Sequence, residues 1–200
     1  MMKRLALALL LMLLAAAPAA ALMENDFAIM PQAGGVMLGG DLGDMFAADL
    51  AFGGAFAYGV VDWLGLEADF IYSVHEASDE DETGQIDLSH FTALFGPRFN
   101  WNTQYVVPYV TLMGGASFLG YKAKWVVKDT TLSDDNNAHG FGGALGAGVD
   151  FFVANSFTVG VGGRVGYFSS NLEYKHAEED DAEAGGYAFY AGLLRFTLLF

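Results

Sequence analysis

Hydrophobic residues recur at every second position along this chain. Residues 187–200 read YAFYAGLLRFTLLF. One alternating set, Tyr190, Gly192, Leu194, Phe196, Leu198 and Phe200, is almost wholly apolar. The other, Phe189, Ala191, Leu193, Arg195, Thr197 and Leu199, carries the polar residues. Period two marks a β-strand with two unlike faces. Wound as a helix, the same segment would put Arg195 on an apolar surface and would lack caps. The pattern returns in residues 157–168, where Arg164 sits among glycines opposite Phe157, Val159, Val161 and Val165. In residues 91–101, Arg98 opposes Phe91, Phe95 and Phe99. In residues 64–73, Glu67 and Asp69 oppose Leu66, Phe70 and Tyr72. Residues 48–60 and 141–153 alternate in the same way, the latter with Asp150 on the mixed face.

Two further strands are less regular. Residues 27–38 are interrupted by Pro31 and by Gly34–Gly35, and residues 105–127 are long, with uncertain facing at Thr111 and Ser117. Proline cannot donate to a ladder, so Pro31, Pro97 and Pro108 weaken their strands as predictions. The total is eight. Connections alternate in length: short at 61–62, 102–104 and 154–156, long at 39–46, 74–90, 128–140 and 169–186. Many short two-faced strands with this asymmetry predict an all-β domain, an eight-stranded antiparallel up-and-down transmembrane β-barrel over residues 22–200. Long connections are then extracellular, and an even strand count places both termini in the periplasm.

Before this domain, residues 1–21 read as a cleaved signal peptide. Lys3 and Arg4 form a positive start, residues 5–17 an apolar stretch, and Pro18 with Ala19, Ala20 and Ala21 a small-residue cleavage site. The cut is expected after Ala21, with Ala19 as the alternative. An uncleaved anchor is the competing reading, disfavoured by the short apolar stretch.

Composition agrees with a barrel. Hydrophobic residues make up 54% and charged ones only 16%, yet no later run is long enough for a spanning helix. There is no cysteine, so thiolate metal sites and disulfides are excluded. Without Lys3 and Arg4, seven of the nine basic residues remain against 24 acidic ones. Such an acidic chain repels phosphate, so nucleic acid is not an expected partner. Most of the acids fall in the long connections, including Asp79, Glu80, Asp81, Glu82, Glu178, Glu179, Asp180 and Asp181.

At the level of motifs the chain resembles the small outer-membrane β-barrels related to the OmpA membrane domain and OmpX. Val61-Asp62-Trp63-Leu64-Gly65-Leu66-Glu67-Ala68 is similar to that family's short turn and following strand. Val107-Pro108-Tyr109-Val110 and the glycine-rich stretch 142–150 resemble its fifth and sixth strands. Leu194-Arg195-Phe196-Thr197-Leu198-Leu199-Phe200 resembles the C-terminal assembly signal, whose final aromatic is Phe200. The resemblance implies outer-membrane lipid and lipopolysaccharide as surroundings and the barrel-assembly machinery as a partner. It implies no cofactor.

Chemistry is sparse. Some barrels of this size modify lipid A with a histidine and a serine. Ser89–His90, and Ser169–Ser170 with His176, fall near predicted rims, but ordinary polar loop residues explain them. The segments 75–82 and 176–183 gather histidine and carboxylates that divalent cations or extracellular partners could use, solvated acidic loops being the simpler reading. No phosphate-binding motif occurs. Tyr72, Tyr121, Trp125, Tyr167 and Tyr187 are expected in an outer aromatic band, and Trp63, Trp101 and Tyr105 in an inner one. A soluble ligand-binding barrel fails because its near-continuous apolar face would meet water.

The candidate functional residues are the charges on the mixed faces. Strand parity points Glu67, Asp69, Arg98, Arg164 and Arg195 inward. An eight-stranded barrel is only wide enough for side chains to fill, and charges there must be paired or wet. The expectation is an ion-pair network that plugs the lumen of a non-enzymatic protein with a structural or surface-interaction role. A small gated channel and a lipid-A-modifying enzyme are the rivals.

Overall fold

The structure is a computed structural model that describes residues 24–77, 84–101, 103, 105–127, 130–170, 172–176 and 179–200. At residues 41, 44, 84–85, 124–127, 130–134, 172–176 and 179–184 it describes the backbone alone. The expected signal peptide and the acids at 79–82 lie outside the described residues, as do the side chains of Trp125 and His176.

The strands are β1 (Phe27–Gly39), β2 (Asp49–Val61), β3 (Leu64–Glu76), β4 (Gly84–Asn100), β5 (Val106–Val127), β6 (Thr130–Ala154), β7 (Phe157–Ser170), β8 (Leu172–His176), β9 (Glu179–Ala184) and β10 (Tyr187–Leu199). A one-turn helix, α1 (Asp41–Met45), follows β1. Its preceding residue, Gly40, has φ +72°, a conformation that favours glycine. Strands β1–β7 and β10 close an eight-stranded barrel in the order β1-β10-β7-β6-β5-β4-β3-β2, every pair antiparallel. The closing seam pairs Ala28 with Leu199 and Gly39 with Ala188. Closure leaves no edge strand in the barrel wall.

Several strands run further than the sequence pattern indicates. Residues 84–90, expected in a long connection, continue β4 and pair with β3 or β5. The segment expected as a connection at 128–140 is largely strand: β5 and β6 stay paired out to Val127 and Thr130. Residues 172–184 form the small hairpin β8–β9. The polar residues of 128–137 and 176–183 conceal this pairing from apolar alternation in the sequence.

Facing follows parity. The outer wall carries Leu50, Phe52, Phe95, Leu112, Phe141, Leu145, Val161 and Phe196, all exposed. The inner wall is a packed core. Lumen-facing glycines leave room for its large rings: a Cβ at Gly166 would overlap the Phe189 ring, and one at Gly148 or Gly162 would overlap the Tyr109 hydroxyl. Two aromatic assignments need correcting. Tyr121 and Tyr187, expected in the outer band, face the lumen and are buried, because each shares parity with inward neighbours such as Leu119 and Phe189. Tyr72 and Tyr167, and Trp63 and Trp101 near the short turns, do lie on the outside.

Candidate functional site

The lumen has two halves of different chemistry. Toward the short-turn end, β3 supplies Glu67 and Asp69, β4 Arg98, β6 Asp150, β7 Arg164 and β10 Arg195. All six side chains are at least 93% buried. Glu67 Oε1 accepts from Arg164 Nη2 at 2.8 Å and from Arg195 Nη2 at 3.0 Å. Its Oε2 accepts from Arg98 Nη1 at 2.9 Å. Arg98 Nη2 donates to Asp150 Oδ2 at 2.5 Å, and Arg164 Nη1 pairs with Asp69 Oδ1. Gln32 Nε2 donates to Asp69 Oδ2 at 2.6 Å. Tyr109 lies beneath the guanidinium groups of Arg98 and Arg195. Three carboxylates thus face three guanidinium groups. Charge balances inside a space that excludes bulk water, which is the condition for burying any of them.

The structure brings together all five inward charges named from the sequence. It adds Asp150, Gln32 and Tyr109. Asp150 was legible, since it stands on the mixed face of its strand. Gln32 was hidden by the neighbouring Pro31, and Tyr109 by the uncertain facing of β5.

The other half of the lumen is mainly apolar. Leu38, Leu42, Phe46, Leu88, Leu119 and Ala123 pack there, with Leu42 of α1 and Phe46 just beyond it entering from the loop. Beneath them is a small polar cluster. His75 Nδ1 lies 3.0 Å from the Ala47 carbonyl oxygen, so this nitrogen carries the proton and donates. Its Nε2 then accepts from Ser73 Oγ at 2.9 Å. His90 Nδ1 is 3.5 Å from the same hydroxyl, and the His90 ring meets Tyr187 edge-on at 5.6 Å. Ser117 Oγ pairs with the Tyr187 hydroxyl.

This placement corrects two expectations. His75 is not part of a cation-gathering loop: it points into the barrel and is fully buried. Ser89 and His90 are not rim neighbours, because adjacent strand residues face opposite ways: His90 is in the lumen, and Ser89 is on the outer side, donating to the Gly120 carbonyl at 3.1 Å. Asp87 and Asp135, expected in loops, sit on β4 and β6 and flank Lys122 across the ladder. Among the described residues no three histidine or carboxylate side chains gather closely enough to hold a metal ion.

A closed antiparallel barrel with a lipid-ready outer wall and a filled interior defines the class of small outer-membrane β-barrels. The chain belongs to the outer membrane protein beta-barrel domain family, whose model matches residues 6–196. Its location is therefore the outer membrane. Among solved structures it is similar to Ail, the attachment invasion locus protein of Yersinia pestis, with 18% identity and a TM-score of 0.54 over 89% of this chain and 100% of that one. Ail in complex with the heparin analogue sucrose octasulfate gives 16% identity and a TM-score of 0.59, with the same coverage. Neisserial surface protein A gives 15% identity and a TM-score of 0.54, over 88% of this chain and 99% of that one. No curated protein matches the chain.

Proposed function

We propose that this is a non-enzymatic outer-membrane barrel with a structural or surface-interaction role, whose lumen is closed by its own side chains. The observation that carries the reading is the balanced cluster of three carboxylates and three guanidinium groups across a narrow barrel. In this reading residues 1–21 are a signal peptide, both termini are periplasmic, and the barrel-assembly machinery reads the strand ending at Phe200. The acidic connections face outward, where divalent cations can bridge them to anionic lipopolysaccharide. The sulfated ligand of Ail does not transfer to this chain by charge, since acids so dominate its long connections that a polyanion would be repelled.

Ser73 and His75 are hydrogen-bonded to each other, a pair distinct from Ser89–His90 and from Ser169–Ser170 with His176 considered from the sequence. Both are buried beneath Phe46 and Leu42, out of reach of an acyl chain in the bilayer. The test of the plugged-lumen reading is conductance of the refolded protein in planar bilayers, alongside heat-modifiability on gels. The expected result is no steady conductance. Large, stable channels in the wild-type protein would overturn the reading in favour of the gated channel.

A further inference from the structure

We propose that residues 40–47 form an acid-released lid, seated only while His75 and His90 beneath it are both neutral. The loop covers its end of the lumen with Leu42 and Phe46, both fully buried. Three contacts tie its far end to β3 and the residue after it. Ala47 N–H donates to the Glu76 carbonyl at 3.3 Å, and Phe46 bridges to Ala77. His75 Nδ1 donates to the Ala47 carbonyl at 3.0 Å. Only this last contact uses a titratable side chain.

The two histidines are joined through one hydroxyl. Ser73 Oγ donates to His75 Nε2 at 2.9 Å, so toward His90 Nδ1, at 3.5 Å, it can only accept. The ring centres stand 6.3 Å apart, and both residues are fully buried. In this relay every proton has one place. A proton added at His75 Nε2 aims a second N–H at the Ser73 oxygen and leaves the Ser73 proton without its acceptor. A proton added at His90 sets a charge against the Tyr187 and Phe189 rings. Two added protons set like charges side by side. A charge in a buried layer is costly unless it is paired.

No partner is at hand, since neither histidine makes an ion pair among the described residues. On β2, half-buried Asp49 accepts from the Leu50 N–H at 2.6 Å. On β3, Asp69 lies four residues below Ser73, against Arg164 and Gln32. Strands β5 and β10 bring Tyr121 and Tyr187, phenols that stay neutral in acid. Glu76, Asp87 and Asp135 face outward by parity. Asp41 and Asp44 of α1 and Asp134 of β6 are the other acids near this level, and their side chains lie outside the described residues. Lifting the loop is therefore how the pair reaches water and takes up protons, which makes acid a force for opening. The charged layer below is untouched, so the opened lumen is an apolar pocket and not a pore.

The experiment is hydrogen exchange by mass spectrometry on the full barrel in micelles, at about pH 7.5 and about pH 5.5, corrected for the intrinsic exchange rate. A histidine that protonates only in the opened loop, at its ordinary value of about 6.5, raises opening about tenfold across that interval. Residues 41–47 of the wild type should therefore open about a hundredfold more often at the lower pH. His90→Phe, which keeps a ring against Tyr187 and Phe189, should show about a tenfold rise. The double variant His75→Phe/His90→Phe should show none. Barrel amides should not change in any of the three. No rise in the wild type, a rise that survives the double substitution, or a rise shared by the barrel amides would overturn the proposal. So would a steady conductance at the lower pH, which would make the opened lumen a pore.

Discussion

The guanidinium carbon of Arg98 stands 3.8 Å from the centre of the Tyr109 ring while its nitrogens hold Glu67, Asp150 and Asn100. Arg195 meets the same ring at 5.1 Å. A phenol ring that carries two guanidinium groups in a water-poor lumen contributes through its π face as well as its volume. Tyr109→Leu removes that face and leaves a gap against Gly148 and Gly162. The expected loss is about 2–3 kcal/mol of stability, from cavity and cation–π effects together. Urea unfolding in micelles, followed by tryptophan fluorescence, measures it.

Glu67→Gln leaves Asp69 and Asp150 to balance three guanidinium groups. The expected cost is about 3–5 kcal/mol, less where lumen water relieves the surplus charge. On gels of samples heated to graded temperatures the variant should lose its compact band at a lower temperature than the wild type. Equal heat resistance would show that the pairs around Glu67 do not hold the barrel shut.

His75→Phe keeps an aromatic ring but deletes its bond to the Ala47 carbonyl and its acceptor for Ser73. One lost hydrogen bond of about 1 kcal/mol should speed hydrogen exchange in residues 41–47 by roughly fivefold, with barrel amides unchanged. Unaltered exchange would mean that Leu42 and Phe46 alone seat the loop.

Gly166→Val pushes a branched side chain into the Phe189 ring. Overpacking of this kind costs about 1–3 kcal/mol. Gly192→Ala, where a Cβ meets nothing within 4 Å, is the control and should be tolerated. Thermal unfolding of the two variants in parallel separates crowding from any general intolerance of lost glycine.

Much of the barrel could be read from the sequence because one wall must meet lipid and the other must not. Period two survives wherever that difference is enforced, as in Leu64 to Ser73. It is lost in residues 128–137, where a nearly continuous run of polar side chains hides the strand from any apolar alternation. The charged layer was legible by the same parity, since Glu67 and Arg98 each interrupt an otherwise mixed or apolar inner face. The histidine cluster was not. Ser73 and His75 share parity with Asp69, but the two histidines look like loop residues until the strand is seen to continue. Gln32 likewise needed the register of β1 against its neighbours, which Pro31 conceals.

Phe200 exchanges both backbone hydrogen bonds with Phe27, at 2.9 and 3.2 Å, while its ring remains exposed. Removing it takes away the last rung of the closing seam and, in the proposed reading, the residue recognised during assembly. Pulse-labelled cells should show slower conversion to the compact form when Phe200 is deleted. Conversion at the wild-type rate would show that the terminal aromatic is dispensable here.

The seam has a consequence for the order of events in folding. Arg195 reaches Glu67 across 128 residues of chain and Gln32 across 163. Contacts this distant are the last to be gained, because loop closure must precede them. Until β10 docks, the unfinished barrel is an open sheet with two bare edges, and Glu67 has one cation fewer to hold. The final strand therefore supplies the missing positive charge and the missing wall in the same step. A chain stalled before that point is left with an unbalanced interior and a hydrogen-bonding edge open to others of its kind, so the same docking step that completes the barrel also protects it from aggregation.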